Sequence, residues 1–121
     1  MNEQEFVLGI LDDILNYQYH ISTTSLAARL MQLKVEHDSF IMDNAYHRCL
    51  SAVLKCGEVI ENDFDNQLIL AHINIKGIVS MPCVLSFHFD EDRAYINAYA
   101  KEYPHTPNVA IRALQKLKQS L

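Results

Sequence analysis

Six histidines, three cysteines and fifteen acidic side chains are the groups from which a chemistry would be built. Their spacing decides which chemistries are open. His20, His37, His47, His72, His88 and His105 are scattered, and no Cys or His pair stands at zinc-ligand spacing. Asp63, Asp65 and Asn66 open like a calcium loop. Gln67 and Leu68 then occupy the places of a further ligand and the turn glycine, and Asn74 stands where a bidentate Glu belongs. Cys83 and His88 are an odd step apart in a strand-like run, which sends them to opposite faces, and no acid orients the histidine. Asp90, Glu91 and Asp92 form a polar corner where water solvates them and they serve solubility rather than acid–base catalysis. With only three Gly in the chain, no glycine-rich loop cradles phosphate. The expectation is a binding protein, not an enzyme, with no cofactor and no metal.

The elements that position these groups follow from apolar period. Phe6, Val7, Ile10, Leu11, Ile14 and Leu15 make one helical stripe, with Asn2 as cap and Glu5 completing a capping box. Ser22, Thr23 and Thr24 cap a second, shorter helix through Leu26, Ala27, Leu30 and Met31 to about Leu33, after which Lys34 to Met42 reads as a loop. A third helix starts at the N-cap candidate Asp43, buries Tyr46, Cys49, Leu50, Val53 and Leu54, and stops at Gly57. The period then shortens. Val59-Ile60 and Leu68 to Ile75 form a β-hairpin around Asn62 to Asn66, and Val84 to Phe89 with Ala94 to Ala100 form a second around Asp90 to Arg93. Tyr95, Tyr99 and Tyr103 share a strand face as an aromatic ridge. A last helix has Thr106 as cap, Pro107 at its first position and a stripe of Ala110, Ala113, Leu114, Leu117 and Leu121. The fold class is α+β.

The segment from about Glu3 to Met81 resembles the winged helix-turn-helix domains of bacterial transcription regulators. The resemblance is carried by the capped helix Thr23 to Leu33, the helix end Cys56-Gly57-Glu58-Val59-Ile60, and the strand close His72-Ile73-Asn74-Ile75-Lys76-Gly77-Ile78. It implies a three-helix winged-helix-like core with a hairpin wing over residues 3–81, extended by a hairpin and helix over 82–121, all one domain spanning 1–121. It also implies that the third helix lies in the major groove of double-stranded DNA. Asn44, His47, Arg48, Ser51 and Lys55 would then form its reading face, with no acid between Asn44 and Lys55. That face is chemically suited, since Asn reads adenine, Arg grips guanine, and Lys and Ser hold phosphates. Arg112 and Lys116 on the last helix add phosphate contacts, with Lys118 beside them, and its Leu114, Leu117 and Leu121 stripe is a candidate homodimer interface. The wing departs from the pattern by carrying Asp63 and Asp65 where a DNA-binding wing has cations.

Composition bounds both readings. The chain has 121 residues, 50% of them hydrophobic and 21% charged, enough for one modest core. Its net charge of -5 excludes broad coating of nucleic acid or anionic lipid by the whole surface. No apolar run is long enough to span a bilayer, and the acidic start Met1-Asn2-Glu3-Gln4-Glu5 has the wrong polarity for a secretory leader, so a cytoplasmic location is expected. An odd cysteine count with Cys49 and Cys56 on one helix side argues against a disulfide framework. Three functions stay open: a winged-helix-like DNA-binding regulator; an acidic protein-binding module, such as an antitoxin, immunity or inhibitory protein; and a structural subunit whose Tyr ridge docks inside a larger assembly. The second would meet a basic protein partner through Asp63, Asp65 and Asp90 to Asp92, with steering followed by aromatic anchoring.

Overall fold

Met81 to Phe87, apolar but for Ser86, does not alternate, and every residue in it is buried. A strand can bury both of its faces only in the middle of a sheet covered on both sides. The computed structural model, which describes residues 2–19, 33–77, 80–102 and 107–121, shows this arrangement. Its elements in chain order are α1 (Glu3–Tyr19), β1 (Leu33–Ile41), α2 (Ala45–Cys56), β2 (Glu58–Asp63), β3 (Leu68–Ile75), β4 (Met81–Asp90), β5 (Arg93–Lys101) and α3 (Val109–Gln119). The strands make one antiparallel sheet in the order β1-β5-β4-β3-β2.

A three-helix winged-helix core with a peripheral wing is therefore not the architecture; the fold is α+β, built on a single large sheet. The hairpin read as a wing, β2–β3, runs on through β4 and β5 to β1, so the sheet itself is the centre of the core. The reason lies in the inward residues. Ile69, Ala71 and Ile73 on β3, Cys83, Leu85 and Phe87 on β4, and Ala94, Ile96, Ala98 and Ala100 on β5 share one buried face. Many of them are small, and they meet Ala45, Ala52, Ala110 and Ala113, so α2 and α3 settle closely on that face. On the other face, among the described residues, Val7 and Leu11 of α1 pack on Val84 and Tyr99. Asp12 of α1 and Lys101 of β5, both buried, form an ion pair at 2.5 Å that ties the helix to the sheet.

Residues 34–42, expected to be a loop, are mostly β1. Leu33 to Ile41 pairs with β5 along its whole length. As an edge strand whose helix-side face carries Lys34, Glu36 and Asp38, β1 lacks the alternation that announces a half-buried strand. Its position follows from pairing with a segment far along the chain. The expected second helix falls outside the described residues except for Leu33, which opens β1.

Helix ends differ from expectation by one or two residues. α2 begins at Ala45, capped by Asn44 in the left-handed region (φ 57°) rather than by Asp43, and α3 begins at Val109 after Asn108 (φ 60°), which leaves Pro107 in the preceding turn. Asparagine tolerates this backbone region better than most residues. Leu54 is 66% exposed although the helical stripe included it, because α2 buries Ala45 and Ala52 against the sheet instead. Conversely, Leu114 and Leu117 are spent in the core, so the expected dimer stripe on α3 is an internal contact. The first helix and both hairpins stand near their expected bounds, and the Asn2 side chain accepts from the Glu5 backbone N–H at 2.8 Å. No described helix is long and apolar enough to cross a membrane.

Candidate functional site

Antiparallel pairing brings three turns to one end of the sheet. The Met42 N–H donates to the Asp92 carbonyl at 3.0 Å and the Asn44 N–H to the Asp92 carboxylate at 3.2 Å, which joins the β1–α2 turn to the β4–β5 turn. The Phe89 N–H donates to the Gln67 carbonyl at 3.1 Å, which joins the β2–β3 turn. Asp43, Asp63, Asp65, Asp90, Glu91 and Asp92 all belong to this end, and Arg93 is the single Lys or Arg in the three turns. Asp63 accepts from both the side chain and the backbone N–H of Asn66, and these bonds hold its carboxyl below its ordinary value. It remains a fixed negative charge.

Phe64 stands among these acids at 55% exposure. It does not swing freely, because its ring stacks on His47 at 5.3 Å and meets Tyr46 edge-on at 5.1 Å, and Tyr46 meets Phe89 at 5.1 Å. Burial, and then the nearby Asp63 charge, raise the Tyr46 phenol. Ile41, at 66% exposure, adds a second apolar surface at the same end. A solvent-facing ring fixed by aromatic neighbours, with Asp63 and Asp65 on either side of it in its turn, is chemically an anchor within an acidic frame.

The residues expected to read DNA are divided by the fold. His47, Arg48, Ser51 and Lys55 are exposed along α2, and Asn44 is exposed at its cap. His47 is occupied by Phe64, and the acidic turns surround the helix start. Arg112 and Lys116 lie at the other end, where they donate to the carbonyls of Lys76 (3.0 Å) and Asn74 (3.4 Å). Lys55 donates to the Ser120 carbonyl at 3.5 Å, beside the end of α3. Among the described residues α2 and α3 pack on each other, so the helix layer there is two helices wide, whereas a major groove about 12 Å across admits one.

No protein-family model and no curated protein sequence matches this chain. Function is therefore read from the residues themselves.

A second polar centre escaped the sequence reading. At the start of α1 the Glu3 carboxylate accepts from Ser86 Oγ, from Tyr99 Oη and, at 3.2 Å, from Asn97 Nδ2. Asn97 Oδ1 in turn lies 2.6 Å from His37 Nδ1. Burial pushes the Glu3 carboxyl up, but these hydrogen bonds and the nearby His88 outweigh it and leave the group below its ordinary value. With its lone pairs taken by three donors, Glu3 fastens α1 to the sheet. Only Asn2 and Glu5 gave a local signal here, for the helix cap. Of the proposed aromatic ridge, Tyr99 is buried in this network, Tyr95 is exposed on the same face, and Tyr103 lies outside the described residues. Cys83 and His88 do point to opposite faces. Burial pushes the Cys49 and Cys83 thiols up to about 12, so both stay protonated and inert as nucleophiles.

Proposed function

We infer that the protein is a binding module whose acidic end docks a basic surface of a protein partner, with Phe64 as its apolar anchor. The observation that carries this reading is the convergence of Asp43, Asp63, Asp65, Asp90, Glu91 and Asp92 from three separate turns on one end of the sheet, with the half-exposed, stacked Phe64 in one of those turns. Like-signed charge gathered at one end speeds encounter with an oppositely charged face and repels polyanions. A desolvated aromatic ring then slows dissociation. A DNA-reading role for α2 fits less well, because the same carboxylates flank the helix start that would face the groove.

The test is capture from a lysate of the source organism at two salt concentrations. The wild type is compared with a variant carrying Asp43→Asn, Asp65→Asn, Asp90→Asn and Glu91→Gln, and with Phe64→Ser. A basic protein retained by the wild type at low salt and lost in both variants is the expected result. Equal retention by all three, or retention of nucleic acid alone, would overturn the reading.

A further inference from the structure

At the end of the sheet away from the acidic turns, Ile75, Lys76, Arg112, Gln115, Lys116 and Gln119 line an open recess of about 280 Å³. Three of these six residues are cationic and none is acidic. Arg112 and Lys116 sit one helical turn apart on α3, so their side chains emerge on one face, and Lys76 approaches from the end of β3. Each α3 cation is already held in place: the Arg112 guanidinium donates to the Lys76 carbonyl at 3.0 Å and Lys116 Nζ to the Asn74 carbonyl at 3.4 Å. These bonds satisfy one donor of each group and neutralise no charge. The remaining donors stay available, and much of the entropy of ordering two long side chains is already spent.

We propose that this recess is an anion site for a small phosphorylated molecule. A guanidinium presents a planar fork that matches two phosphate oxygens, while the two ammonium groups act as point charges on the others. Three cations suit a ligand bearing two or three negative charges. Gln115 and Gln119 supply amide donors and acceptors for neutral oxygens next to the phosphorus, and Ile75 gives one apolar wall. The volume admits a pyrophosphate or a small organic phosphate. The site lies at the opposite end of the strands from the acidic docking end, so it stands or falls independently of that reading.

Calorimetric titration of the whole chain with inorganic pyrophosphate at low salt tests the proposal. The expected result is saturable one-to-one binding, weakened at least tenfold by Arg112→Gln and by Lys116→Gln but changed less than twofold by Arg48→Gln, an exposed cation outside the recess. Thermal melts of the three variants within a few degrees of the wild type keep the comparison valid, and Lys76→Gln gives a second reading of the site from another element should an α3 variant melt early. Three results would overturn it: no saturable heat, equal weakening by Arg48→Gln, or citrate binding as tightly as pyrophosphate. Displacement of pyrophosphate by a short DNA duplex at micromolar concentration would also overturn it, in favour of nucleic acid.

Discussion

Gly57 sits where α2 hands the chain to β2, and a Cβ placed there would meet the His72 carbonyl oxygen at 2.3 Å and Ile73 Cγ1 at 2.9 Å. The backbone there is extended (φ -167°), so the demand is for space, not for a left-handed conformation. Gly57→Ala must push β3 away from the helix end, and a loss of about 1–3 kcal/mol in urea-unfolding free energy is expected. Glu3 makes a different prediction. Its carboxyl titrates lower in the folded chain than the usual glutamate value of 4.5. Its stabilising contribution is thus complete above that value and is lost as pH falls through the lowered folded one. Glu3→Gln should therefore unfold at lower urea than the wild type near neutral pH, and the gap should close on acidification below about 4.5; a gap that stays constant would contradict the role given to the three donors. This role was invisible in the sequence because Ser86, Asn97 and Tyr99 lie 83, 94 and 96 residues away. The Asn2 cap was legible because its partner is three residues on.

The same contrast between local and distant causes governs the elements. Both hairpins were legible, since each turn and its two strands lie within one short stretch of chain and polar corners between apolar, β-branched segments announce them. β1 was not, because its partner β5 is far along the sequence and its own residues do not alternate. The orientation of α2 was half legible: the period identified the helix and the buried Cys49 and Val53, but period alone does not tell Leu54 from Ala52 as the residue facing the sheet. One truncation on each helix of the layer tests how α2 and α3 are seated. Leu117→Ala, in the core at 0% exposure, should cost about 2–5 kcal/mol, while Leu54→Ala should stay within about 0.5 kcal/mol of the wild type. Comparable losses in thermal unfolding would mean that the helix layer is seated differently.

Over the whole molecule, two clusters of opposite charge stand at the two ends of the strands, with Glu58 and Glu102 as acids at the cationic end. Asp43, Asp63, Asp65, Asp90, Glu91 and Asp92 gather at one end, and Lys76, Arg112 and Lys116 at the other. The net charge of -5 conceals this polarity, and the sequence displayed its parts without displaying that three turns meet. Antiparallel topology is what brings them together. The acidic end also bears Phe64, so one surface carries both the long-range attraction and the short-range apolar contact of a docking site. The most direct measurement is an amide-resolved NMR titration of the folded chain with a lysine-rich peptide containing one leucine, and separately with duplex DNA. The peptide is expected to shift amides of residues 42–44, 63–67 and 90–93 while DNA leaves the exposed face of α2 unmoved. Shifts from DNA along His47, Arg48, Ser51 and Lys55, with no response of the three turns to the peptide, would contradict the docking reading.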